Sequence, residues 1–213
     1  MAEYGAMLSL SNGNPFITPK STPFCLYGKY TYSSSGTSAY HSASANIPLN
    51  QSYPCMAFIK TTNTQQPTAL IAYRNGGNIY VNGGNPYGQS FTMTVYIFAI
   101  FPQTLPKYGM AIWDASGKLV LTNESRVLTD LVTIGTPGSS GGTNIDQTLS
   151  GSYAVCPSRL GAVIGMGASD IYTSCRYDGS STRIGAARTT PGTGSITNNG
   201  NSIIAIKTDV YDQ

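Results

Sequence analysis

The chain has 213 residues and a net charge of +3, with only 10% charged residues, 24 each of Ser, Thr and Gly, and fifteen Tyr. That length gives room for one large domain or two small ones around a sizeable core. The composition excludes a coiled coil or helical bundle, which would be rich in Ala, Glu, Lys and Leu, and a hydrophobic content of 40% excludes a disordered chain.

From the N-terminus, Met1-Ala2-Glu3 shows neither a basic n-region nor an apolar h-region, so no Sec export is expected. Tyr4 to Phe24 (YGAMLSLSNGNPFITPKSTPF) reads as strand, turn, strand, with Asn12-Gly13 tolerating the positive φ of a tight hairpin. Ser33 to Ala45 (SSSGTSAYHSASA) is a run of small residues expected as a loop or an exposed edge. Arg74 to Gly88 (RNGGNIYVNGGNPYG) reads as two turns around the short strand Ile79-Tyr80-Val81. Tyr and Asn on such loops suit recognition of sugars or protein surfaces, which singles out Asn75, Asn78, Tyr80, Asn82, Asn85 and Tyr87. Phe91 to Phe101 is a strand, and its apolar run Val95 to Phe101 is far too short to cross a bilayer.

Beyond it, Tyr108 to Leu128 (YGMAIWDASGKLVLTNESRVL) aligns with Tyr4 to Phe24 without a gap, at a constant offset of 104 residues. Tyr4/Tyr108, Gly5/Gly109, Gly13/Gly117, Thr18/Thr122 and Ser21/Ser125 are identical. The alignment predicts an all-β chain of two tandem, similar, β-sandwich-like domains, 1–101 and 108–213, joined by a stiff linker at 102–107. Further strands are expected near Leu119 to Leu121, Ala162 to Ile164 and Ile203 to Ile206, with many prolines interrupting any long helix.

Chemistry-bearing patterns are sparse. Gly138-Ser139-Ser140-Gly141-Gly142 matches G-x-S-x-G, yet loop residues flank it and the single histidine, His41, lies upstream. The first half has no carboxylate after Glu3, so a repeated acid pair is excluded, and Asp114 is assigned to the Asp114-Ala115-Ser116-Gly117 turn. One histidine and no Asp-x-Asp-x-Asp-Gly loop argue against a metal, and no glycine loop opens a helix to cradle phosphate. Cys25, Cys55, Cys156 and Cys175 lack zinc-site spacing and are read as free thiols. The twelve Lys and Arg are scattered singly, which argues against nucleic acid. No catalytic, cofactor or metal residue is therefore assigned.

At Tyr4 to Phe24 and Tyr108 to Arg126 the chain resembles a family of short tail proteins of long-tailed, lambda-like bacteriophages. The resemblance implies a non-enzymatic virion component near the tail tip, made in the host cytoplasm and assembling with other tail proteins. Its motif positions here are Tyr4, Gly13, Trp113, Gly117 and Arg126; the first copy has Thr22 in place of Arg126. A homotrimer is expected, because three copies of a duplicated chain present six similar faces where threefold and sixfold parts of a tail meet. The alternative reading is a receptor- or carbohydrate-binding module at the tail tip.

Overall fold

A computed structural model describes residues 22–138, 140–165, 167–191 and 193–213, together with the backbone of Leu8–Ser9 and Pro15–Ile17. Tyr4 and Gly13 lie outside the described residues. The strands begin with β1 (Leu8–Ser9) and β2 (Pro15–Ile17), then β3 (Cys25–Ser33), β4 (Ser35–Gly36), β5 (His41–Pro48) and β6 (Cys55–Thr62). They continue with β7 (Ala69–Asn75), β8 (Asn78–Asn85), β9 (Thr92–Ala99), β10 (Ala111–Trp113), β11 (Leu119–Thr122) and β12 (Leu131–Ile134). After a 3₁₀ turn at Gly142–Asn144 come β13 (Asp146–Ser150), β14 (Tyr153–Val155), β15 (Arg159–Ile164), β16 (Ser169–Tyr177), β17 (Ser181–Arg188), β18 (Ser195–Asn198) and β19 (Ile203–Lys207). The fold is all-β and sandwich-like, and each of the four apolar runs read as strands holds one, that of Phe91 to Phe101 being confined to Thr92–Ala99.

The two hairpins share one register. Leu8 faces Ile17 and Ser9 faces Pro15; Ile112 faces Leu121 and Trp113 faces Leu119, with the same irregularity between the pairs. In the second hairpin Gly117 turns the chain at φ +80, and Asp114 Oδ1 accepts from the amides of Ser116 and Lys118 at 2.9 Å each. That is the turn role expected of Asp114.

One glycine-rich stretch differs from its expected conformation. Arg74 to Gly88 turns at Gly76-Gly77 and again at Pro86-Tyr87, and Asn82-Gly83-Gly84-Asn85 between them is not a turn but the second half of strand β8. The reason is packing: a Cβ at Gly83 would meet the Phe91 ring at 3.0 Å, and one at Gly84 would meet the Tyr40 hydroxyl at 2.3 Å. Glycine here makes room for aromatic neighbours above and below the sheet. The small-residue run from Ser33 takes the edge form of its two expected readings: it pairs as β4 and β5 around a turn at residues 37–40, with exposed β4 at the sheet edge and the alternate residues Ala43, Ala45 and Ile47 of β5 reaching the core.

A central sheet runs in the order β3-β9-β6-β14-β19-β12, with β6 and β14 meeting at Ile59 and Val155. The order is palindromic about that junction. One outer sheet is β4-β5-β8-β7; the other is β13-β17-β16-β15-β18, whose Arg176 meets Thr61 of β6 in parallel pairing. One buried cluster draws on all three sheets, including Ile59, Val95 and Ile97, Leu70 and Val81, Ile171 and Ile184. The opposite face of the central sheet carries a second cluster of Phe58, Tyr96, Phe98, Ala154, Ile206 and Tyr211. Strand β9 is thus covered on both faces, which is why Val95 to Phe101 reads as a continuous apolar run rather than an alternating one.

Residues 102–107, expected as a linker, run between β9 and β10 without regular secondary structure, and Lys107 is exposed. Trypsin is expected to cut after Lys107 first, and the two fragments should then co-elute in gel filtration, because the two core clusters and the β6–β14 and β6–β16 junctions span the nick. Elution as two separate species of half mass would contradict the shared sheet.

Candidate recognition surface

The residues singled out between Asn75 and Tyr87 divide by strand periodicity. In β8, Ile79, Val81 and Gly83 face the core, so Asn78, Tyr80 and Asn82 project from the other face. The pairing sets them in rows across the sheet: Pro48, Asn78 and Asn75; Asn46, Tyr80 and Tyr73; Ser44, Asn82 and Ile71. Tyr73 and Tyr80 pack with ring centroids 5.0 Å apart at 42°, and Tyr73 is half-exposed. Tyr40 lies over Gly84 in the next row, and its phenol is raised by burial and by the neighbouring Tyr80. Sequence reasoning missed Tyr40, Tyr73, Ser44 and Asn46; the alternation of Ala43, Ala45 and Ile47 with Ser42, Ser44 and Asn46 was the available signal.

Two of the singled-out residues do other work. Asn85 is fully buried, and its carboxamide donates to Thr68 Oγ1 at 3.2 Å and accepts from the Tyr87 amide at 3.0 Å, fixing the following turn. Tyr87 sits exposed in that turn, off the sheet face.

Polar clefts flank the 63–68 loop. One, of about 890 Å³, is lined by residues including Asn63, Gln65, Gln89, Tyr177 and Asp178. The other, of about 460 Å³, contains Arg176, Arg183 and Asp146. Arg183 and Asp146 form an exposed ion pair; the hydrogen bond from Arg183 holds the Asp146 carboxyl below its ordinary value. Asp178 is lowered by the backbone amides of Ser181 and Ser180, which it caps at 2.8 Å each. Ser140 is exposed on its loop and donates to Thr136 O at 3.3 Å, while His41 pairs with Ser34 on the first outer sheet. Among the described residues no group of three or more His, Cys, Asp or Glu is placed to hold a metal ion, and no helix is long and apolar enough to cross a membrane. All four cysteines are free; burial pushes Cys25 up to about 11 and Cys175 up to about 12.

A third surface is apolar. Tyr108 is 78% exposed and Trp113 52%, with Leu105 and Met110 also exposed, on the second hairpin and the segment leading into it. Arg126 leaves this hairpin to donate to Gln213 O at 3.0 Å, and its own carbonyl accepts from Leu26 N at 2.7 Å. The arginine therefore ties the 208–213 segment to β3, a structural role that the motif alone did not indicate.

Comparison with family models, with curated proteins and with solved structures gives no match.

Proposed function

We propose that the chain is a non-enzymatic structural component of a bacteriophage tail, at the tail tip, built from two similar β-units and assembling with other virion proteins. One observation carries the reading. Each half begins with a hairpin of the same register and continues with the same pairings: β3-β9-β6 with β5-β8-β7 in the first, β12-β19-β14 with β13-β17-β16 in the second. The units then meet through equivalent strands, β6 and β14, in antiparallel pairing. Such a chain is an internal pseudo-dimer, and three copies around an axis offer six similar units to a sixfold neighbour.

The exposed Leu105, Tyr108, Met110 and Trp113 supply the apolar contact that assembly needs. Purified protein is expected to sediment as a trimer at micromolar concentration, and Tyr108→Ser/Trp113→Ser to sediment as a monomer with an unchanged far-ultraviolet spectrum. A wild-type monomer at that concentration, or a trimer unaffected by the double substitution, would overturn the assembly surface. Absence of the protein from purified phage particles would overturn the virion role.

A further inference from the structure

We propose that the outer face of β5-β8-β7 is a binding platform for a neutral, hydroxyl-rich oligosaccharide, with Tyr80 and Tyr73 stacking on the sugar rings and Asn46, Asn78, Asn82 and Ser44 reading their hydroxyls.

The face is chemically selective. Its outward positions carry Ser, Asn, Pro, Ile and Tyr, with buried Ala69 and Gly84 at one end, and neither ionisable residue of these strands other than Tyr lies on it. Arg74 and His41 sit at core-facing positions of β7 and β5. The Arg74 guanidinium is occupied by the carbonyls of Leu49, Asn50, Gln51 and Tyr53, the last at 2.7 Å. His41 is turned to Ser34. A surface without fixed charge offers no compensation to an anionic ligand that must shed water, and so favours a neutral one.

The face also has the parts a sugar needs. Pyranose rings present C–H faces to aromatic rings and hydroxyls at their edges. Here two rings lie side by side at 5.0 Å, and they are held by the sheet, so little side-chain freedom is lost on binding. Asn82 donates to Ala43 O at 3.5 Å, at the limit of a hydrogen bond, which leaves its carboxamide weakly engaged and able to turn to a ligand. Paired β-strands hold the whole array, in contrast to a mobile loop. A protein partner would want a continuous apolar centre; this face instead alternates rings with amides and hydroxyls.

The platform lies on a different element from the apolar hairpin, so it stands or falls apart from the trimer. The test is an array carrying neutral glycans (maltohexaose, cellohexaose, mannan) beside acidic ones (hyaluronan and heparin hexasaccharides), followed by titration of the best binder. Binding to a neutral glycan is expected, weakened about 10-fold or more in Tyr73→Ala/Tyr80→Ala, which removes both stacking rings. Ser44→Arg, at an exposed position beside Asn82, should weaken it comparably without touching the rings. No binding to any neutral glycan, binding to acidic glycans alone, or a neutral-glycan affinity unchanged in both variants would overturn the proposal. The last two outcomes would direct attention to the cleft of Arg176 and Arg183. Oligomeric state, measured on the same samples, is expected to stay as in wild type.

Discussion

Replacing Asp212 with Asn is expected to lower the unfolding free energy by about 3 kcal/mol at pH 7, the lower end of the range for removing one partner of a buried ion pair. Lys60 sits on β6 with its side chain 7% exposed, and its three donors go to Ser152 Oγ at 2.8 Å, Thr208 Oγ1 at 3.0 Å and Asp212 Oδ2 at 2.8 Å. Asp212 Oδ1 also meets Lys29 at 2.7 Å and accepts from the Tyr96 hydroxyl. The carboxylate is therefore the counter-charge for both lysines, and its loss leaves Lys60 charged in a site built to exclude water. The low end applies because the Asp212 side chain is 30% exposed. Burial by itself would raise the Asp212 carboxyl, but the bonds from Lys29, Lys60 and Tyr96 outweigh it and hold the group well below the usual carboxylate range. A depressed carboxyl contributes stability that is complete above its unfolded value, about pH 3.9, and is lost as the pH falls through the folded value. Urea titrations should show the gap between wild type and Asp212→Asn constant from pH 7 to about pH 4 and closing below that. A gap that closes instead on raising the pH would refute the assignment.

Replacing Phe98 with Ala is expected to cost about 3–5 kcal/mol, the range for deleting a fully buried aromatic ring. Phe98 is fully buried and meets Phe58 edge-on at 5.8 Å and Tyr211 at 4.9 Å. Tyr211 belongs to the segment after β19, so the ring joins the first half of the chain to the second. Calorimetry of the variant is expected to show one transition at lower temperature, since the two halves share two core clusters. Two resolved transitions, one of them at the wild-type temperature, would mean that the halves melt independently.

Local features of this fold were legible because local chemistry determines them. Asp114-Ala115-Ser116-Gly117 makes its own turn, and the Leu119-Val120-Leu121 run makes its own strand. The match between the hairpins followed from residue identities at a fixed offset. Asn82-Gly83-Gly84-Asn85 was misleading for a physical reason: the Asn-Gly pairs that suit a turn also suit a strand crossed closely by rings, and only Phe91 and Tyr40 decide between them. The Tyr80 platform was half legible, since β8 carries its own alternation but Tyr73, Ser44 and Asn46 arrive by pairing from β7 and β5. The Lys60–Asp212 bond was not legible at all. A sequence shows a lysine in an apolar strand and an aspartate beyond the last strand, 152 residues away, with nothing to join them.

That separation has a consequence during synthesis. Lys29 and Lys60 lie in a stretch with no carboxylate after Glu3, so neither finds a counter-charge in the part of the chain that emerges with them. At ribosomal rates of about 5–20 residues per second, Asp212 follows Lys60 by roughly 8–30 s. Once Phe98 has been made, and until Tyr211 and Asp212 follow, Phe58, Tyr96 and Phe98 form an uncovered aromatic face beside an unneutralised ammonium. The nascent first half therefore keeps that face uncovered until Tyr211 and Asp212 arrive, and the site around Lys60 closes only after them.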